Sequence, residues 1–79
     1  MKPSNLIRET VLPRYGDVTA FARALRVSRV NTSRLVNGHM RVTVPMALRL
    51  EGLGHGSARE WLILQMDWDL EQERKRDDD

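Results

Sequence analysis

The stretch that decides the fold lies at residues 17–38 and reads DVTAFARALRVSRVNTSRLVNG. Asp17 is a good helix N-cap, and apolar residues then follow at helical spacing, namely Val18, Phe21, Ala22 and Leu25. Ser28 is a second N-cap, and Gly38 stands where a glycine ends a helix. Only two residues separate the two blocks. The stretch therefore predicts two short helices joined by a tight turn, which is typical of a helix-turn-helix.

One further helix is predicted before this pair. It is expected to begin with Ser4 as its N-cap and to end at Pro13 and Gly16. Apolar residues share one of its faces, namely Leu6, Ile7 and Val11. A helix with a single apolar face packs that face against a core.

Two more helices are predicted after the pair. One starts near Thr43, and its Pro45 is tolerated because a first-turn N–H has no partner to lose. The other starts at residues 57–60, Ser-Ala-Arg-Glu, which have the pattern of a capping box, and runs to about Gln72. No stretch alternates long enough to predict a strand. The expected fold is all-α, with five helices around a helix-turn-helix.

Length and composition narrow the class of protein. The chain has 79 residues, which predicts one domain, placed at residues 1–72, and a charged, frayed tail at residues 73–79. It contains no cysteine, which excludes a disulfide framework and a thiolate zinc site. No apolar run approaches the ~20 residues of a membrane span, and no signal peptide is readable, so a cytoplasmic location is expected. Self-association or a partner is expected to stabilise so small a domain.

Charge is divided unevenly along the chain. Residues 1–49 hold nine basic side chains against two acidic ones, a balance of +7, whereas residues 50–79 hold four basic against nine acidic, a balance of −5. A polyanion such as nucleic acid would prefer the first half. On charge alone, the alternative that these groups merely solvate the surface stays open.

The second helix of the pair has the side chains of a recognition helix. At about 100° per residue, three residues face inward, namely Thr32, Leu35 and Val36. The outward face is formed by Arg29, Val30, Ser33, Arg34 and Asn37. Arginine can hydrogen-bond to a guanine edge, asparagine can hydrogen-bond to adenine, and valine can contact a thymine methyl group. An ordinary amphipathic helix with a solvated polar face is the alternative reading of this pattern.

These residue types predict two kinds of DNA contact. Base readout is expected from Arg29 and Arg34, with help from Val30, Asn31, Ser33 and Asn37. Phosphate contacts are expected from Thr19, Ser28 and Arg41. The proposed DNA-binding set therefore comes from the pair of helices and the loop that follows them.

The last predicted helix has apolar residues on two sides. One side includes Trp61 and Leu64 and is expected to pack on the domain. The other is expected to form a dimer or partner surface, because a helix that is apolar on two sides is usually sandwiched. The residues assigned to this contact are Leu62, Ile63, Met66, Trp68 and Leu70. In the alternative reading, the first and fourth helices cover the second side completely.

The sequence shows no recognisable catalytic or metal site, because it offers no arrangement of a nucleophile with a base. His39 and His55 are expected to be exposed loop residues rather than metal ligands. Acidic residues of the last helix are expected to solvate it or to face a basic partner, and these are Asp67, Asp69, Glu71 and Glu73. No enzyme activity, cofactor, small-molecule substrate or membrane contact is predicted.

Several motifs resemble a known family. Residues 16–29 and 33–38 resemble the helix-turn-helix of the XRE, or phage-repressor-like, proteins. More narrowly, the chain is similar to the HigA, or VapI-type, antitoxins in four segments, namely KPSNLIRE at 2–9, TVPMALRL at 43–50, EWLILQ at 60–65 and WDL at 68–70. The resemblance covers residues 2 to about 72 without a gap.

The resemblance implies a lambda-repressor-like fold and a type II antitoxin. Such proteins form homodimers, bind a palindromic operator in their own promoter, and neutralise a HigB-like toxin that cleaves mRNA. The chain departs from the family at Arg26, where a turn glycine is usual, and at Val18, where a phosphate-contacting glutamine is frequent. Two alternatives stay open: a stand-alone phage- or plasmid-type repressor, and a protein-interaction module that has lost DNA binding, which these departures allow.

Overall fold

The computed structural model describes residues 1–77, and no strand occurs among them. A first helical segment comprises α1 (Pro3–Leu6), a π-helical turn (Ile7–Val11) and a 3-10 turn (Leu12–Arg14). The other helices are α2 (Val18–Leu25), α3 (Arg29–Val36), α4 (Val44–Gly52) and α5 (Ala58–Asp77). The predicted all-α, five-helix architecture is confirmed. None of the described helices is long and apolar enough to span a bilayer.

The core draws on all five helices. Its central side chains are Ile7 and Phe21, both fully buried, together with Val11, Leu25, Leu35, Val36, Val42, Met46, Ala47, Leu50 and Trp61. Thr32 is equally buried, and its hydroxyl donates to the Ser28 carbonyl oxygen at 2.9 Å. A buried hydroxyl without a partner would be costly, so this bond lets a threonine occupy a core position. The three inward residues predicted for α3 are thereby confirmed.

Side-chain caps begin four of the helices, as predicted from the sequence. Asp17 Oδ1 accepts from the Ala20 N–H at 2.8 Å, and Ser28 Oγ accepts from the Asn31 N–H at 3.1 Å. Thr43 Oγ1 and Ser57 Oγ accept from N–H groups three residues ahead in the same way, at 3.4 and 3.1 Å. Each cap satisfies a donor that the helix itself leaves free, which fixes where the helix starts.

Gly38 ends α3, as predicted, and two constraints act on it. Its φ is +80°, a left-handed conformation that favours glycine. A Cβ at this position would also lie 2.7 Å from Lys2 Nζ and 3.0 Å from Ser4 Oγ. The close approach of the N-terminal segment to the end of α3 therefore depends on a residue without a side chain.

Three sequence-based expectations about local structure are corrected. The first helix starts at Pro3 rather than after Ser4, because the fixed φ of proline suits a first helical position, and Ser4 is buried. Helix α5 continues past Gln72 to Asp77, where it carries an ion pair between Lys75 and Glu71 at 3.4 Å. The last two residues of the predicted tail, 78–79, lie outside the described residues.

The third correction concerns His55, which was expected to be an exposed loop residue. It is half-buried, and its Nε2 lies 2.5 Å from the Tyr15 hydroxyl oxygen. Tyr15 in turn stacks on Phe21, with ring centroids 5.1 Å apart. Desolvation by burial, assisted by the positive charge of Arg14, lowers the pKa of His55 below its ordinary value of 6.5. This histidine is therefore part of the packing between the α4–α5 loop and the first helical segment.

Candidate nucleic-acid interface

The tight turn between α2 and α3 is formed with a left-handed arginine. Arg26 has φ 59° and ψ 40°, and it is the one non-glycine residue with positive φ in the described part of the chain. The Val27 N–H donates to the Ala22 carbonyl oxygen at 3.2 Å, which closes the C-terminus of α2. The turn predicted from the two-residue spacing is thus present, and a Cβ occupies the position where the family usually has glycine.

Two arginines of the basic half serve the structure and not a ligand. Arg49 Nη1 donates to the Leu25 carbonyl oxygen at the end of α2, at 2.9 Å. Arg8 Nη1 donates to the Val36 carbonyl oxygen at the end of α3, also at 2.9 Å. A cation at a helix C-terminus satisfies a free carbonyl and opposes the negative end of the dipole. Both side chains keep their positive charge, but these N–H donors are used within the fold.

The outer face of α3 carries the side chains that the sequence assigned to base readout. Five of them are exposed, namely Arg29, Val30, Asn31, Arg34 and Asn37, while Ser33 is half-buried. Val30 is 69% exposed, although valine is usually buried in a folded domain. Asn37 Nδ2 donates to Ser33 Oγ at 3.2 Å, which links two of the assigned residues. This face thus presents two cations, amide and hydroxyl groups and one aliphatic side chain.

Arg29 is held in place from α2. Its Nε donates to Thr19 Oγ1 at 2.9 Å, so the first turns of the two helices are joined through their side chains. The bond uses Nε and leaves the two Nη groups, which form the fork that bonds a guanine edge. Two residues predicted separately, one for phosphate and one for bases, are therefore neighbours in the structure.

Arg41 and Ser28 each have a protein partner. Arg41 forms an ion pair with Asp69 of α5, and Ser28 Oγ caps α3. Gln65 Oε1 accepts from the N–H of Val42, beside Arg41, at 2.8 Å. Sequence reasoning missed the roles of Gln65 and Asp69 in this loop, because they lie more than twenty residues away in the chain and no local pattern reports such contacts.

A second candidate surface lies on α4 and α5. We call it the apolar surface, and its members are Val44, Leu48, Leu62, Ile63, Met66 and Leu70. Val44 and Leu48 are 57% and 54% exposed, and Met66 is 51% exposed. The alternative that neighbouring helices cover this side of α5 is therefore wrong. Val44 and Leu48 were not predicted as surface residues, although their spacing of four places them on one face of α4.

Trp68 does not belong to the apolar surface. It is half-buried, and Lys2 Nζ lies 5.8 Å from the centroid of its ring, close enough for a cation–π contact. Trp68 also lines a polar pocket of about 400 Å³ between the N-terminus and α5, together with Ser4, His39 and Asp69. The structure thus separates Trp68 from the other four residues assigned to a dimer or partner contact.

Comparisons with known proteins agree with this geometry. No model of a known protein family matches the chain. The chain is 31% identical over 74 residues to YddM of Escherichia coli K12, an uncharacterized HTH-type transcriptional regulator, covering 94% of this chain and 79% of the relative.

Two solved structures are similar as well. The antitoxin GraA superposes with a TM-score of 0.88 at 28% identity, covering 96% of this chain and 83% of that chain. The Pseudomonas aeruginosa antitoxin HigA, solved with the higBA promoter, has a TM-score of 0.88 at 27% identity, with 96% and 84% covered. The chain therefore belongs to the helix-turn-helix transcriptional regulators, and it is similar in structure to the antitoxins GraA and HigA.

Proposed function

We propose that this protein is a type II antitoxin. It binds operator DNA as a homodimer, represses its own operon, and neutralises a HigB-like, mRNA-cleaving toxin. The observation that carries the proposal is the outer face of α3, where exposed Arg29 and Arg34 flank Val30, a valine left 69% exposed. A valine at the centre of such a face gains favourable burial when it meets a thymine methyl group in the major groove.

The helix-turn-helix supplies the DNA contacts. Arg29 and Arg34 bond guanine edges, while Val30, Asn31, Ser33 and Asn37 add contacts to neighbouring bases. Thr19, Ser28 and Arg41 bind the phosphates on either side and fix the position of α3 in the groove. Support comes from the exposure of the α3 face and from the similarity to a HigA solved with promoter DNA.

The apolar surface is the homodimer contact, and its occupant is a second copy of this chain. Its six aliphatic and thioether side chains extend over two helices, and a contiguous exposed patch of this kind marks an interaction site. A two-fold axis at such a surface places like against like and presents two copies of α3 on the same side. Successive half-sites of a palindrome lie about 34–36 Å apart, which a dimer of two recognition helices is suited to bridge.

Toxin neutralisation is supported by the similarity to two proteins named as antitoxins, GraA and HigA.

The chain acts by binding rather than by catalysis, in the cytoplasm, where both operator and mRNA are found. No group of three or more potential metal-ligating side chains occurs within residues 1–77.

Purification of the tagged protein from its native host at low salt tests the proposal. Mass spectrometry identifies the proteins recovered, and sequencing identifies the DNA. We expect a stoichiometric small basic protein encoded next to this chain, together with fragments of their shared promoter. The neighbouring gene, expressed alone, should arrest growth, and co-expression of this chain should restore it.

Two other results would contradict the proposal. Recovery of the promoter without a toxin identifies a stand-alone repressor. Recovery of a protein partner without DNA, with binding that barely changes with salt, identifies an interaction module, because phosphate contacts make affinity fall steeply as salt rises.

A further inference from the structure

Two side-chain bonds fasten the loop after the recognition helix to α5, and a third bond within α5 connects them. Gln65 Oε1 accepts from the Val42 N–H at 2.8 Å, and both residues are buried. Gln65 Nε2 donates to Asp69 Oδ1 at 2.9 Å, and Asp69 Oδ2 pairs with Arg41 Nη2. Asp69 thus uses one oxygen to orient Gln65 and the other to hold Arg41.

The ion pair lies at the surface, where a competing anion can reach it. The Arg41 side chain is 66% exposed and the Asp69 side chain is 42% exposed. An exposed pair of this kind contributes little stability, since water and salt screen it. A DNA phosphate offers the same charge-assisted bonds to a guanidinium group. Arg41 therefore has two alternative partners for a charge-assisted bond, one in the protein and one in the operator backbone.

We propose that Asp69 is a positioning residue that restrains Arg41 on α5 and thereby lowers the affinity of the protein for operator DNA. The inference rests on the proposed DNA-binding function. Nη2 of Arg41 must leave Asp69 before the whole guanidinium group can bind a phosphate, so part of the gain from the phosphate contact is lost. An antitoxin with such a restraint binds its promoter less tightly than its basic side chains permit.

Asp69→Asn tests the restraint, with Asp67→Asn as a matched control. Asparagine retains an oxygen that accepts from Gln65 but loses the charge that holds Arg41. Asp67 is exposed on the same helix, two residues away and on another face, so its variant removes the same charge. The general electrostatic gain from losing one negative charge is therefore common to both variants. Circular dichroism verifies that each variant is folded.

The readout is the affinity for a promoter fragment at several salt concentrations, measured by fluorescence anisotropy. We expect Asp69→Asn to bind about two- to five-fold more tightly than Asp67→Asn, given the small strength of an exposed ion pair. The plot of log K against log salt should have a similar slope for both variants, because Arg41 contacts a phosphate in each of them. Arg41→Gln should weaken binding more when combined with Asp69→Asn than in the presence of Asp69.

Equal or weaker binding by Asp69→Asn, relative to Asp67→Asn, would overturn the restraint while leaving the DNA-binding function intact. An equal gain from Asp69→Asn in the Arg41→Gln protein would overturn it as well, since the gain would not depend on Arg41. A wild-type protein that binds no promoter fragment would overturn both the restraint and the proposed function.

Discussion

Arg29 Nε donates to Thr19 Oγ1 at 2.9 Å and so joins the first turn of α3 to the first turn of α2. The bond limits the directions in which the guanidinium group can point. Pre-oriented side chains lose less conformational entropy when they bind, and they discriminate better between bases. We therefore propose that the hydroxyl of Thr19, assigned above to phosphate binding, also supports base readout by Arg29.

Thr19→Val removes this bond and keeps the shape of the side chain. We expect operator affinity to fall a few-fold and discrimination at the base pair of Arg29 to relax, because the guanidinium group becomes free to rotate. Thr10→Val is the matched control, since its exposed hydroxyl bonds the Leu6 carbonyl oxygen in the first helical segment. Anisotropy titrations with operator variants measure both effects. Equal losses for the two variants would show that Thr19 does not orient Arg29.

Arg34→Ala should weaken operator binding by about 1–3 kcal/mol and relax specificity at one base pair, since a bidentate contact to a base is lost. Arg74→Ala, an exposed arginine of α5, is the control for the loss of one positive charge. Binding to a set of single-base operator variants measures the specificity. If Arg29→Ala and Arg34→Ala both leave operator binding unchanged, α3 is not the recognition helix.

Met66→Glu should convert the dimer into a monomer, because it places a charge at the centre of the apolar surface. Val30→Glu adds the same charge to another exposed aliphatic position and should leave the dimer intact while abolishing DNA binding. Analytical ultracentrifugation distinguishes the two results. A Met66→Glu protein that sediments as a dimer would place the self-association contact elsewhere.

Arg26→Gly should stabilise the fold. An L-residue in the left-handed region carries a strain of about 1–2 kcal/mol, which glycine avoids. Glycine also lowers stability by roughly 0.5–1 kcal/mol, because it has greater conformational freedom in the unfolded chain. The expected net gain in the free energy of unfolding is roughly 0.5–1 kcal/mol. Arg23→Gly, inside α2, should instead destabilise by about 1 kcal/mol. Urea denaturation compares the two, and a loss of stability in Arg26→Gly would mean that the arginine side chain makes stabilising contacts.

Acidification should weaken the fold through His55. The pKa of this residue is lower in the folded protein than its ordinary value of 6.5, because burial and Arg14 disfavour the charged form. The unfolded chain therefore binds the proton more readily, and stability present above about pH 6.5 is lost as the pH falls through that value. Thermal unfolding between pH 7.5 and about 5 measures the slope. His55→Gln should reduce the slope, and an identical slope would exclude His55 as its source.

Sequence patterns predicted the features that depend on a few neighbouring residues. Asp17 and Ser28 were identifiable as caps because the N–H they accept from lies three residues ahead. The exposed and buried sides of α3 followed from helical periodicity alone. Ser4 was misassigned because it too is a capping residue type, and only the preceding Pro3 distinguishes the true start of the helix.

Contacts between distant segments were not predictable in this way. Arg8 and Arg49 counted as part of a basic half, although each bonds the carbonyl end of another helix. Leu48 is apolar like its buried neighbour Ala47, but it is exposed beside α5. Such roles depend on how the helices pack, which one sequence does not report.

The bond between Gln65 and the Val42 N–H has a consequence for the length of the spacer between operator half-sites. Helix α5 carries most of the apolar surface and also bonds the chain shortly after α3. The proposed dimer contact is therefore linked directly to the proposed recognition helix. One extra base pair turns a half-site by about 34–36° around the duplex. Because this bond ties the end of α3 to the helix of the proposed dimer contact, we expect promoters for this protein to tolerate changes in half-site sequence better than the insertion of a single base pair.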